Sequence, residues 1–394
     1  MALPGWALPA RAAWAALATR WRLRFDPSRY GPLPELAPTS LAVSFGDRPS
    51  RELQALARRC LTSFDLMNLD HADLLTGAPP PRCVNDGGLR ELRAAGRGVL
   101  VSSMHFGPYH YVVSAVASRG FAVRAFMTGL FQRRDGQAWE RAGRRRGWTI
   151  EPLGAESARS VVHAIRRMQQ GDAVVLYMDG QAGVRAARAA LHTATFEFLK
   201  IPLRMRIGPA HLARRAGVPV VLAAAWRDRL GRRSVEFSDP LPPPTGDDAE
   251  TLADATRLYY AWFEERVRRR PDRWSGYLWS GLVWAETGSA PTATVEDFAR
   301  AQARARELLA RDRGARLRAD PARAGCVEVR GEWLIVEGPT RRILQASPLA
   351  CAVLRAALRG ERVARLPRAT GAAPEALATE VARLTLAGLA TIEE

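Results

Sequence analysis

Between residues 88 and 237, short apolar runs alternate with stretches of helical period, and this alternation constrains the fold more than any other feature. The runs 99–103, 122–126, 173–178, 219–225 and 234–237 read as strands, and 88–95, 109–118, 137–146, 157–169 and 208–216 as helices. Strands separated by helices predict an α/β fold: a mixed, largely parallel sheet flanked by helices. The run at 99–103 ends in Ser102 and Ser103, followed by Met104, His105, Phe106, Gly107, Pro108, Tyr109 and His110. A buried strand ending there delivers His105 to the C-terminal edge of the sheet, where open α/β folds place their ligands. Histidine suits a general base, because its unperturbed pKa is about 6.5.

With 394 residues the chain is long for one domain, and 47% hydrophobic residues are enough for sizeable cores. The formal net charge is +18, carried almost wholly by arginine, since Lys200 is the one lysine. Such a surface favours anionic partners: phospholipid, nucleic acid, phosphate-bearing cofactors or an acidic carrier protein. Cys60, Cys83, Cys326 and Cys351 are far apart and form no CxxC motif, so free thiols in a reducing compartment are expected. His105 and His110 are five apart rather than the four that pairs ligands on a helix, and no metal or cofactor is expected.

No stretch is long and apolar enough to span a bilayer. Near the N-terminus, Trp6, Trp14, Leu17, Trp21 and Phe25 could line one side of a helix among Arg11, Arg20, Arg22 and Arg24. Two readings stand: an amphipathic segment lying in a membrane interface, or a helix whose tryptophans enter the core. Breaks in composition divide the chain into a basic segment 1–40, an α/β domain 41–287, a linker with a charged helix 288–321, and a module 322–394. The last has strands near 326–330, 333–337 and 341–344 and helices at 348–358 and 374–386, in winged-helix proportions.

Four segments of the α/β region carry candidate chemistry. They are His105-Phe106-Gly107; Tyr177 to Gly183 with Asp179, Gly180 and Gln181; Phe196 to Pro202 running on to Gly208-Pro209-Ala210; and Pro271-Asp272-Arg273-Trp274. Taken singly, Asp179 could be a cap, Gly208-Pro209-Ala210 a helix start, and Trp274 a core residue. In this order, over roughly residues 40–285, they resemble the bacterial lipid A lauroyl/myristoyl acyltransferase family of the wider lysophospholipid acyltransferase-like superfamily. The matching pieces are His105-Phe106-Gly107, Asp179-Gly180-Gln181, Phe198 to Pro202, Gly208-Pro209-Ala210 with Leu212-Ala213-Arg214, and the Pro271 to Trp274 closure. Arg144 or Arg141, before Gly147, falls where the family has a basic run.

The resemblance implies an acyltransferase moving a fatty acyl group from an acyl carrier protein or coenzyme A thioester to a hydroxyl or amine, with His105 as base. It implies Phe106, Gly107, Tyr109, Arg144, Gln181, Lys200, Arg204 and Arg206 as substrate-binding residues. Oxyanion donors would be backbone amides near Gly107 or an arginine, and Phe106, Tyr109, Phe126 and Phe131 would line an acyl groove. Two departures stand out: Lys200 replaces a glycine, and His110 replaces the acid that the family places five residues after its histidine. Three readings follow for His110. His105 works with another acid, Asp179 first; a His105–His110 pair moves the proton; or the domain only binds, as a catalytically degenerate scaffold.

The C-terminal module resembles the peptide chaperone of pyrroloquinoline quinone biosynthesis, that is, the precursor-peptide recognition elements. It shares three short strands, Ser347-Pro348-Leu349-Ala350 opening a helix, and a closing helix through Val381-Ala382-Arg383-Leu384 into Gly388. That resemblance implies a peptide added to a sheet edge. A winged-helix dimerisation module is the plainer alternative. Nucleic-acid binding ranks third, because no run gathers the arginines on one recognition helix. The expected location is the cytoplasm, peripheral at the inner membrane.

Overall fold

A computed structural model describes residues 7–25, 37–38, 41–42, 44–45, 48–155, 157–179, 193–199, 201–228, 231–278, 295–310, 314–329, 332–337 and 342–393. The chain divides into two compact units, Met1–Trp21 with Arg59–Gly276, and Arg22–Arg58 with Tyr277–Glu394.

The first unit is built on a seven-stranded sheet. Its strands are β1 (Arg82–Val84), β2 (Val99–Ser103), β3 (Val123–Met127), β4 (Ile150–Gly154), β5 (Ala173–Tyr177), β8 (Val220–Arg227) and β9 (Arg233–Phe237), while β6 (Thr193–Phe198) and β7 (Ile201–Arg206) form a separate antiparallel hairpin. The order across the sheet is β1-β9-β8-β2-β5-β3-β4. All neighbours are parallel except β8 and β9, whose short connection makes an antiparallel hairpin. This is the mixed, largely parallel α/β sheet that the alternating pattern predicts.

The central strands are buried on both faces, and their composition explains it. Every residue of β2 is buried, and Val99, Val101, Val175, Val221 and Ala223 join one core with Tyr111, Val112, Val116 and Trp139 from the helices. Chain order reverses at β2. The chain leaves β2 towards β3 and β4, returns with β5 between β2 and β3, and later adds β8 on the other side of β2. Such a switch opens a crevice at the strands' C-terminal ends.

The part of the helix Ser50–Thr76 that belongs to this unit, from Arg59 on, meets that end of the sheet through Leu66, Asp70 and Asp73. Its Asp70, only 1% exposed, pairs with Arg227 at the end of β8 and, at 2.7 Å, with Arg233 of β9. A carboxylate that deep costs several kcal/mol to leave unpaired, so the two arginines fix where the helix lies.

In the second unit, β11 (Ala324–Val329), β12 (Glu332–Glu337) and β13 (Arg342–Ala346) form an antiparallel sheet with β12 central. β10 (Arg316–Arg318) pairs with β14 (Thr391–Glu393). The helices Pro348–Leu358 and Pro374–Leu386 bury Cys351, Val353, Leu354, Leu377 and Val381 in its core. Ser347 caps the first helix by accepting from the Ala350 amide, with proline at the first position, where a missing amide costs nothing.

Candidate active site

β2 and β5 lie side by side and parallel, with Ser103 opposite Tyr177. Two residues further along each strand come His105 and Asp179, so the register alone sets them at the same level on the C-terminal edge. The Met178 amide donates to Ser103 O at 2.8 Å and carries the ladder one step past the strands. His105 Nδ1 then lies 2.8 Å from Asp179 Oδ1, and the His105 amide donates to both carboxylate oxygens at 3.0 Å.

Asp179 is 1% exposed, whereas the His105 side chain is 21% exposed. The acid is sealed and the base can be reached. Trp274 Nε1 donates to Asp179 Oδ2 at 2.8 Å, so both oxygens of a buried carboxylate are satisfied, as such a group requires. An ionised carboxylate only accepts. The ring proton of neutral His105 therefore sits on Nδ1, and the lone pair on Nε2, the nitrogen that would take a proton.

The segment 273–275 forms the remaining wall. Phe106 and Trp274 pair as an antiparallel bridge, Gly107 donates to Arg273 O at 2.7 Å, and Ser275 donates to His105 O from its amide at 3.0 Å and its hydroxyl at 2.9 Å. Phe198 of β6 meets Trp274 edge-on at 5.1 Å and Tyr260 at 5.5 Å. Tyr260, from the helix Ala249–Arg269, donates to Met178 O at 3.0 Å. Described residues from each of the four segments thus meet: His105 to Gly107, Tyr177 to Asp179, Phe198, and Arg273 with Trp274.

Aromatic rings flank the base. The Tyr109 ring lies 4.5 Å from His105, the Tyr177 ring lies 5.1 Å from His105, and the Tyr177 hydroxyl donates to Tyr109 O at 3.2 Å. Burial, reinforced by the Asp179 charge, pushes both phenols above their ordinary range, so they stay protonated.

His110, expected beside the base, lies elsewhere. It is 4% exposed and makes no hydrogen bond to His105 among the described residues. Its ring stacks on His71 at 4.4 Å and on Tyr109 at 3.9 Å, with Phe131 at 6.0 Å and Trp139 at 6.2 Å. Its Nδ1 is buried with no partner among the described residues. Burial, then the charges His71, His105 and Arg134 would carry, hold its pKa well below the usual histidine value. His71, which accepts from Trp139 Nε1 at 3.0 Å, is lowered mainly by burial. The carboxylate that meets the His105 ring is Asp179, while the His110 imidazole faces the rings of His71 and Tyr109.

The other expected contacts divide. Phe106 is 2% exposed and Gly107 is buried. Gly107 has φ +56°, and a Cβ there would lie 2.3 Å from Ala225 O, so glycine serves close packing of the chain on β8. Its amide is spent on Arg273 O, which removes it as an oxyanion donor. Phe106 likewise sits in the core rather than along an acyl groove. Arg144 is 69% exposed in the last turn of the helix Gly129–Arg144 and faces Glu140 at 3.8 Å, one turn back on its own helix. Arg206 is half-buried at the end of β7. Gln181 and Lys200 lie outside the described residues, as does the side chain of Arg204.

Tyr177 opened one of the four segments but had been given no role, while Tyr260, Ser275 and His71 join the site without having been foreseen, each across a long sequence separation from the residue it meets. Among the described residues, no group of three or more histidine, cysteine, aspartate or glutamate side chains is placed to hold a metal ion.

No family profile and no curated protein matches the chain. Among solved structures it is similar to the 1-acyl-sn-glycerophosphate (LPA) acyltransferase PlsC from Thermotoga maritima, at 13% identity and a TM-score of 0.33, over 66% of this chain and 98% of that one. That degree of likeness does not carry a functional assignment.

Proposed function

We propose that the first unit is an acyltransferase that moves an acyl group from a thioester, on an acyl carrier protein or coenzyme A, to a hydroxyl or amine. The observation that carries the proposal is the His105–Asp179 pair: a buried acid holding a reachable imidazole in one tautomer at the C-terminal edge of a switched α/β sheet. The sequence resemblance drawn from His105-Phe106-Gly107, Asp179 and Trp274 points to the same chemistry.

The steps follow from that pair. The acceptor's oxygen or nitrogen attacks the thioester carbonyl while His105 Nε2 takes its proton. Asp179 stabilises the imidazolium that forms, as a buried carboxylate does for a paired histidine. The tetrahedral intermediate collapses, the carbon–sulfur bond breaks, and the leaving thiolate receives the proton from Nε2. Exposed Arg133, Arg141 and Arg144 on the helix Gly129–Arg144 offer positive charge to an acidic carrier or to coenzyme A phosphates.

The second unit supports a peptide as acceptor or guide. Its sheet order leaves β11 and β13 with one neighbour each among the described strands, and such edges accept a further strand. Thiol release from acyl carrier protein and coenzyme A thioesters, measured over a panel of lipid and peptide acceptors, tests the activity. His105→Ala should lower turnover about 10²- to 10⁴-fold. Transfer that survives this substitution removes His105 from the mechanism, and no transfer to any acceptor favours a scaffold that only binds.

A further inference from the structure

We infer that the exposed face of the helix Ala7–Phe25 docks the protein onto an anionic lipid surface. Trp14 is 55% exposed, Leu17 66% and Trp21 59%. They sit at spacings of three and four and so fall within an arc of about 60° on the helix. The other large exposed apolar side chains among the described residues, Val162 and Leu258, stand singly on different helices. Isolated apolar residues on a surface are ordinary; three aligned along one face mark a contact surface.

The stripe is not the helix's core-facing side. Ala15 and Thr19 are each 1% exposed, and the Thr19 hydroxyl donates to Asp65 Oδ2 at 2.7 Å. The helix therefore packs through Ala15 and Thr19 and turns Trp14, Leu17 and Trp21 outwards, so these two tryptophans are not core residues; Trp6 and the side chain of Phe25 lie outside the described residues.

Charge selects the occupant. Arg20 is exposed in the same turns, and the chain carries +18. A second copy would bring like charges together, whereas anionic headgroups complement them. Tryptophan also favours the depth between headgroup and acyl chain. No helix among the described residues is long and apolar enough to cross a membrane, so the contact is one of lying on the surface.

Sedimentation of the full chain with phosphatidylcholine vesicles, with and without phosphatidylglycerol, tests this. The wild type should bind the anionic vesicles and bind pure phosphatidylcholine more weakly. The triple variant Trp14→Ser, Leu17→Ser, Trp21→Ser should lose about 10- to 100-fold in affinity while keeping its thermal transition. Arg20→Glu should lose roughly tenfold. Should the triple variant fail to unfold cooperatively, the single Leu17→Glu chain carries the same comparison. Three results would overturn the inference: no vesicle binding by the wild type, equal binding by a folded triple variant, or a vesicle-independent dimer that the triple variant abolishes.

Discussion

His105 and His110 are five residues apart and share Tyr109 as a ring neighbour, yet their surroundings are chemically opposite. The first ring is reachable, and a sealed carboxylate fixes its proton on Nδ1. The second is enclosed by His71, Phe131, Trp139 and Tyr109, and its Nδ1 meets no acceptor among the described residues. In the proposed reaction the working pair is set by which strand ends meet at the sheet edge rather than by spacing along one segment. Here β5 delivers the acid that the local sequence lacks.

The sharpest way to break this contrast is Asp179→Asn. An asparagine can turn its amide nitrogen towards His105, which reverses the tautomer and leaves Nε2 protonated. Turnover should fall about 10³- to 10⁴-fold, the scale seen when a triad's aspartate becomes asparagine. Trp274→Phe comes next. It removes one donor from Asp179 Oδ2 but leaves the His105 amide on that oxygen and the His105 ring nitrogen on Oδ1. We expect roughly a three- to tenfold loss in turnover and about 1–3 kcal/mol of stability, read from the denaturant midpoint. His110→Phe should matter least, keeping turnover within about threefold, because an aromatic ring of similar size preserves the stack on Tyr109.

Acid should expose the second histidine through stability rather than catalysis. His71 and His110 are held neutral in the folded state, with pKa values lowered mainly by burial. In the unfolded chain both titrate near 6.5, so below that pH the unfolded state binds more protons and folding stability falls. The loss begins as pH drops through the unfolded value and ends only below the folded ones, at up to about 1.4 kcal/mol per pH unit for each ring. Thermal unfolding between neutrality and pH 5 should show the decline, and His110→Phe should flatten it.

Much of this was legible in the sequence. Val99–Ser103, Gly208–Ala216, Pro348–Leu358 and Pro374–Leu386 have the bounds that pattern and caps indicate. β4 did not show itself, because Pro152 and Gly154 make Ile150–Gly154 read as a loop. The sheet tolerates them because β4 is an edge strand. The hairpin of β6 and β7 was hidden too. Pro202 interrupts its second strand, and Leu199 turns with φ +56°, a conformation uncommon outside glycine. The helix Gly129–Arg144 starts earlier than its period suggests, because the Thr128 hydroxyl caps it by accepting from the Phe131 amide. In the site, the Asp179 partnership was readable as one of several options. The burial of His110 was not, since His71 and Trp139 reach it from segments far away in the chain.

Histidine-selective ¹⁵N NMR of the rings tests the central assignment without any need for a substrate. In the wild type at neutral pH, His105 should show its proton on Nδ1; that pattern should change in Asp179→Asn and persist in His110→Phe. A His105 spectrum indifferent to Asp179→Asn but altered by His110→Phe would contradict it.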